Sequence, residues 1–326
     1  IAPQCSGYQG IGLIWVTMTA YLWLFRRRLK FPQALLLLPI GTVLIWLSNA
    51  LRIALLMAVG TYLSPKIALG GFHSQVGWLM FIAVSLGMMA ASLRMNSFSR
   101  IDARPDRAAT HNPTAAYLGP LMILLIARMA TAALSDGFDR LYVVVVAATA
   151  AALLAWGWWG QSWRALRTRG FLSLTAVGVG AAVFGIWLIC ERLLPPARDA
   201  GSPIAAGLAG LSAPWAAAWL VARTAGAVIT VPLAEELAFR GYLMRRLTAA
   251  RFESLPLRSA SLLAVAVSSV LFGALHGRWI AGTLAGLLLA FAAWRRGRLG
   301  DAVVAHSAAN ALLAAYILVM KEWSLW

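Results

Sequence analysis

Glu235, Glu236 and Arg240 stand in PLAEELAFRG (232–241), directly after the apolar run AGAVITVPLA, in a chain with 11 Asp and Glu among 326 residues. Glu236 and Arg240 are four apart, as are Phe272 and His276 in FGALH and His306 and Asn310 in HSAAN, so each pair shares one helical face. His276 and His306 are two of the chain's 4 histidines. Two carboxylates and two imidazoles in apolar surroundings are the parts of a hydrolytic site. A Glu can act as general base on water, or the set can hold a metal whose bound water attacks. Each residue alone has a structural explanation, as an ion pair at a span end or a histidine satisfied by backbone. Together they point to a site, because ionisable groups within a membrane are expensive.

A second set lies near the start. Cys5 precedes the first apolar run, Asn49 and Arg52 lie in SNALRIALL, and His73 lies in GGFHSQVGW. A thiolate can attack a carbonyl, a histidine can move the proton, and an arginine can stabilise the oxyanion. A lone Cys is commonly a small core residue, and an arginine near a span end can snorkel outward. Convergence of all three on one membrane face is what would make them a site. His111 reads as part of a solvated connector.

The elements that must position these groups are membrane helices. The chain is 61% hydrophobic and 12% charged, with a mean hydropathy of +0.77. A soluble domain is about half apolar and a quarter charged. The expected fold is all-α, a polytopic transmembrane helix bundle in contact with the lipid bilayer, with about ten spans in two bundles. They fall near 8–25, 33–63, 74–93, 115–134, 141–160, 171–190, 214–235, 259–276, 279–294 and 302–320. The second is too long for one upright crossing, and Pro39 and Gly41 could kink it. The net charge of +17 sits in short loops such as RRRLK (26–30) and RRGRLGD (295–301). It therefore reads as a topology signal and not as nucleic-acid binding. With basic loops inside, Cys5, Arg52 and His73 converge on the outer face. Glu236 and His306 fall near the cytoplasmic face, and His276 falls near the outer end of its span unless that helix is tilted, shortened or broken at Gly273 and Gly277. The polar stretch 96–114, with Pro105 and Pro113, is the expected linker between domains at 1–95 and 115–326. Two cysteines, Cys5 and Cys190, form no disulfide framework.

The spelling adds to this. C-S-G, then N-x-L-R-I, then F-H-S-x-x-G, over about residues 1–95, resembles the exosortases, bacterial membrane proteins thought to cleave C-terminal sorting signals. The resemblance implies Cys5 as nucleophile, Arg52 as transition-state stabiliser and His73 as acid/base. Exosortases usually have several spans before the Cys, so earlier residues are expected to precede Ile1. E-E-x-x-x-R, F-x-x-x-H and H-x-x-x-N, over about 214–320, resemble the CAAX-protease and bacteriocin-processing (CPBP, Rce1-like) intramembrane proteases. That resemblance implies Glu236 as water activator with Glu235 assisting. His276, His306 and Asn310 would build an oxyanion or metal site, and Arg240 would orient the carboxylates. Zinc is the metal such a site would take, at Glu236, His276 and His306. The whole arrangement resembles the exosortase E/protease fusions of the bacterial inner membrane. It implies secreted protein substrates with a VPEID-type C-terminal signal, an apolar helix and a basic tail. A transporter lined by the same polar groups, and a scaffold or receptor without catalysis, are the alternatives.

Overall fold

The computed structural model describes residues 7–100, 112–159, 173–193 and 203–326, and its regular elements among these are all helices, with one isolated antiparallel bridge between Leu29 and Ser99. Each of the ten expected spans corresponds to a helix. These are α1 (Tyr8–Leu24), α2 (Leu37–Tyr62), α3 (His73–Arg94), α4 (Pro113–Ala133) and α5 (Tyr142–Trp159), followed by α6 (Leu174–Leu193), α7 (Ala213–Thr248), α8 (Leu262–Ala274), α9 (Trp279–Arg296) and α10 (Leu299–Met320). Among the described residues, 6 helical stretches are long and apolar enough to cross a membrane. This is a polytopic helical membrane protein.

Three expectations change. Pro39 does not kink α2, because it lies in the helix's first turn, where the backbone N–H groups have no partner in any case. The stretch 64–73, which falls between the second and third expected spans, is helical. Ser64 accepts the Ile67 N–H, Pro65 starts a turn, and a π turn at Ala68–Phe72 leads into α3 through a non-helical Gly70. Ser-Pro is a helix-start signal that an apolar-length count overlooks. Finally, α7 does not stop near residue 235 but runs to Thr248. The two glutamates and Arg240 were read as a span end, yet they lie in its interior, where the opposite charges of Glu236 and Arg240 compensate one another.

Packing divides the described chain into two units, one of residues 1–110 with 128–139, the other of 111–127 with 140–326. In the first, Ile14, Met18 and Tyr21 of α1 pack with Ile45 of α2 and Met88 of α3. Gly41 brings α2 against Ile14 and Met88, and Tyr21 Oη hydrogen-bonds Ser92 Oγ at 2.7 Å. In the second, small residues set the spacing. A Cβ on Gly180 of α6 would lie 2.4 Å from the Ala305 carbonyl of α10. Without a hydrophobic drive between helices in lipid, such close backbone contact is a main source of association. Gly180→Leu is therefore expected to destabilise the second unit by about 1–3 kcal/mol, as overpacking does. Thermal unfolding of the purified protein in lipid nanodiscs would check this, and an unshifted midpoint would refute it.

Candidate functional site

The Glu/His site is built on an interrupted helix. Within α7 two π turns, Gly226–Thr230 and Leu237–Leu243, flank a short α segment, Val231–Glu236. Pro232 accounts for the first interruption. The Val231 N–H bonds the Gly226 carbonyl, five residues back. The next bond in that register would run from residue 232 to the Ala227 carbonyl, and proline has no N–H. Asn310 of α10 takes that place, donating from Nδ2 to Ala227 O at 2.7 Å. The wider turn thus ties the glutamate segment to the helix that carries His306.

Glu236 is 0% exposed, as is Arg240. Its Oε1 accepts from Arg240 Nη1 at 3.0 Å and from His306 Nδ1 at 2.9 Å. Arg240 also donates from Nη2 to the Gly286 carbonyl of α9 at 2.7 Å, and its guanidinium stacks 4.4 Å from the centre of the Phe272 ring. Glu235 differs. It is 8% exposed, and its Oε2 has no direct hydrogen bond and lies 3.9 Å from His306 Nε2. Because Nδ1 donates to Glu236, the other nitrogen of a neutral His306 carries the lone pair. Two acceptors 3.9 Å apart can share one water between them.

His276 joins the same cluster. It follows the end of α8, whose 13 residues rise only about 20 Å at 1.5 Å per residue, well short of a hydrocarbon core. The shortened helix that a common depth required is present. Gly273 and Gly282 let α8 and α9 meet, since a Cβ on Gly273 would strike Thr283 and the Trp279 carbonyl. His276 Nδ1 donates to the Phe272 carbonyl at 2.8 Å. The Phe272 ring lies 4.6 Å from the His276 ring and 5.8 Å from that of His306, so one aromatic ring supports both imidazoles.

Among the described residues, no three His, Cys, Asp or Glu side chains come together as a metal-binding set. The Glu236 oxygen facing His306 is already engaged twice. The donor set suggested for zinc, Glu236 with His276 and His306, is not brought together as a ligand set in this arrangement.

Cys5 of the first unit lies outside the described residues, as does His111 of the second. Arg52 and His73 line one cavity of about 280 Å³, together with Asn49, Ser74 and Gly77. The cavity reaches Gly7, two residues beyond Cys5. Gly7 has φ +78°, and a Cβ there would lie 3.0 Å from Asn49 Nδ2. His73 and Gly77 are four apart on α3, and the bare Gly77 face admits the Arg52 guanidinium. Arg52 Nε is buried without a hydrogen-bond partner.

Sequence reasoning missed several members of the Glu/His site. The Ala227 and Gly286 carbonyls are backbone groups with no residue-type signal. Trp187 and Glu191 of α6 lie at and just beyond the end of the sixth expected span, with no spacing motif to mark them. Glu191 had a signal of its own, as one of 11 acidic residues beside an apolar run.

Residues 217–312 match the family model described as Type II CAAX prenyl endopeptidase Rce1-like, and residues 1–90 match that of the transmembrane exosortases (EpsH). No curated protein and no solved structure matches the chain.

Proposed function

We propose that this chain, which joins a transmembrane exosortase part to an Rce1-like CAAX-protease part, is a membrane-embedded protein-processing enzyme with two peptidase sites. The observation that carries it is the Glu236–Arg240–His306 set, buried in apolar helices with Glu235 beside it. A scaffold has no use for two adjacent buried carboxylates, each with an oxygen lacking a hydrogen bond.

At the Glu/His site the assignment of the two glutamates reverses the one the resemblance implied. Glu236 holds His306 in one tautomer and is itself held by Arg240. Glu235 is the base. A water between Glu235 Oε2 and His306 Nε2 donates a proton to each acceptor, which leaves an oxygen lone pair for the scissile carbonyl. As that oxygen bonds the carbonyl carbon, its proton passes to Glu235, which then delivers it to the departing amine. Asn310 keeps a second N–H, beyond the one used on Ala227, for the developing oxyanion. His276, with Nδ1 committed to Phe272, presents Nε2 to the same region.

At the front site, Cys5 attacks the peptide carbonyl near a C-terminal signal, His73 moves the proton and Arg52 stabilises the oxyanion. The shared cavity of Arg52 and His73, and the unpartnered Arg52 Nε, support this assignment. The resulting acyl-enzyme passes to water or to an amine acceptor. Substrates are secreted proteins ending in a short signal, of VPEID type by resemblance, with an apolar helix and a basic tail. The proposed location is the bacterial inner membrane.

The test is a reporter carrying such a C-terminal signal, expressed with the full chain. Cys5→Ala should leave the reporter full-length and membrane-held, while Glu235→Gln should leave release of this reporter intact. Unchanged release from Cys5→Ala would defeat the front-site assignment.

A further inference from the structure

Helix α6 lies outside the 217–312 match, yet it forms a wall of the Glu/His site. Gly180, Phe184, Trp187 and Glu191 recur at helical spacing on one face. Gly180 meets the Ala305 carbonyl and Ala309 of the His306 helix, and Phe184 packs edge-on against Tyr316 at 6.2 Å. Further along, the Trp187 ring stands edge-on to the His276 ring at 5.9 Å. At the end, Glu191 takes Arg278 in a two-pronged pair, Nε to Oε2 at 2.6 Å and Nη2 to Oε1.

We propose that Trp187 and Glu191 are positioning residues that set the orientation of His276. This rests on the reading of the Glu/His cluster as a peptidase site. His276 is in a turn between α8 and α9, past the last residue of α8, and a Cβ on Gly277 beside it would meet open space. A turn containing glycine has many backbone states to lose. The His276 N–H bonds the Gly273 carbonyl at 2.9 Å and the Phe272 carbonyl holds Nδ1, which leaves Gly277 and Arg278 to be fixed from outside. Trp187 blocks one direction of ring rotation. The Glu191–Arg278 pair clamps the turn two residues beyond His276. With side chains 11% exposed for Arg278 and 26% for Glu191, this pair is partly buried and is screened less than a fully exposed pair. Its fork geometry also fixes direction as well as distance.

The experiment uses the full chain in lipid nanodiscs and follows carbethoxylation of each histidine by diethylpyrocarbonate with mass spectrometry. Glu191→Gln and Trp187→Ala should each raise the His276 rate about threefold or more through local opening. His306 and His73 should keep their rates. Arg278→Lys, which keeps the charge and loses the fork, should act like Glu191→Gln if the latter folds poorly. The swapped pair Glu191→Arg/Arg278→Glu should return His276 to its original rate. Processing measured alongside should fall about 10- to 100-fold in Glu191→Gln, as a displaced catalytic group predicts. An unchanged His276 rate in both single variants, or equal increases at all histidines, would overturn the proposal. Glu235→Gln and Glu236→Gln, read by new peptide termini in membranes and not by the C-terminal-signal reporter, separate the two ideas. If both process normally, the peptidase reading fails whatever the labelling shows. If either is inactive while Glu191→Gln is fully active, only the positioning role fails.

Discussion

Glu235→Gln is expected to lower processing at the Glu/His site about 10²–10⁴-fold, the usual contribution of a general base, without altering the folded protein. The carboxamide fills the same space, and no direct hydrogen bond from Glu235 Oε2 is lost. Glu236→Gln should behave differently. Its amide oxygen can still accept from His306 Nδ1, so turnover should fall only about tenfold, in line with a residue that acts through another. Stability should fall too, because Arg240 would lose its carboxylate at a site 0% exposed. The measurement is a comparison of new peptide termini in membranes from cells expressing each variant, by mass spectrometry, beside the unfolding midpoint of each purified protein. The opposite ranking, with Glu236→Gln inactive and Glu235→Gln active, would make Glu236 the base.

Arg240→Met is expected to cost about 3–5 kcal/mol, the penalty for stranding one member of a buried ion pair. Arg240 does three things at once: it pairs with Glu236, donates to the Gly286 carbonyl and stacks on Phe272. Met restores some of the packing volume and neither of the polar contacts. The double variant Arg240→Met/Glu236→Leu should recover most of the lost stability, since no lone charge remains buried, while processing stays low. Denaturation in mixed micelles would read both effects. Wild-type stability in Arg240→Met would mean that neither the Glu236 pair nor the Gly286 contact to α9 contributes to stability.

The sequence by itself determined that this is a multi-helical membrane protein, because apolar runs of the required length have few other uses. It also marked Glu235, Glu236, Arg240, His276, His306 and Asn310, because charge and imidazole are scarce in such a chain and their four-residue spacings are local. Local spacing says nothing about which oxygen of which carboxylate meets which nitrogen. That was decided by packing. Pro232 opens a π turn whose stranded carbonyl captures Asn310, and a 13-residue helix brings His276 into the cluster. Gly286 admits Ser269 of α8 and offers its carbonyl to Arg240. Trp187 and Glu191 were the least legible, because nothing nearby in the chain shows what they touch; their partners are 89 and 87 residues away. Contacts between distant helices depend on the summed geometry of every helix between them, and only the folded chain contains that information.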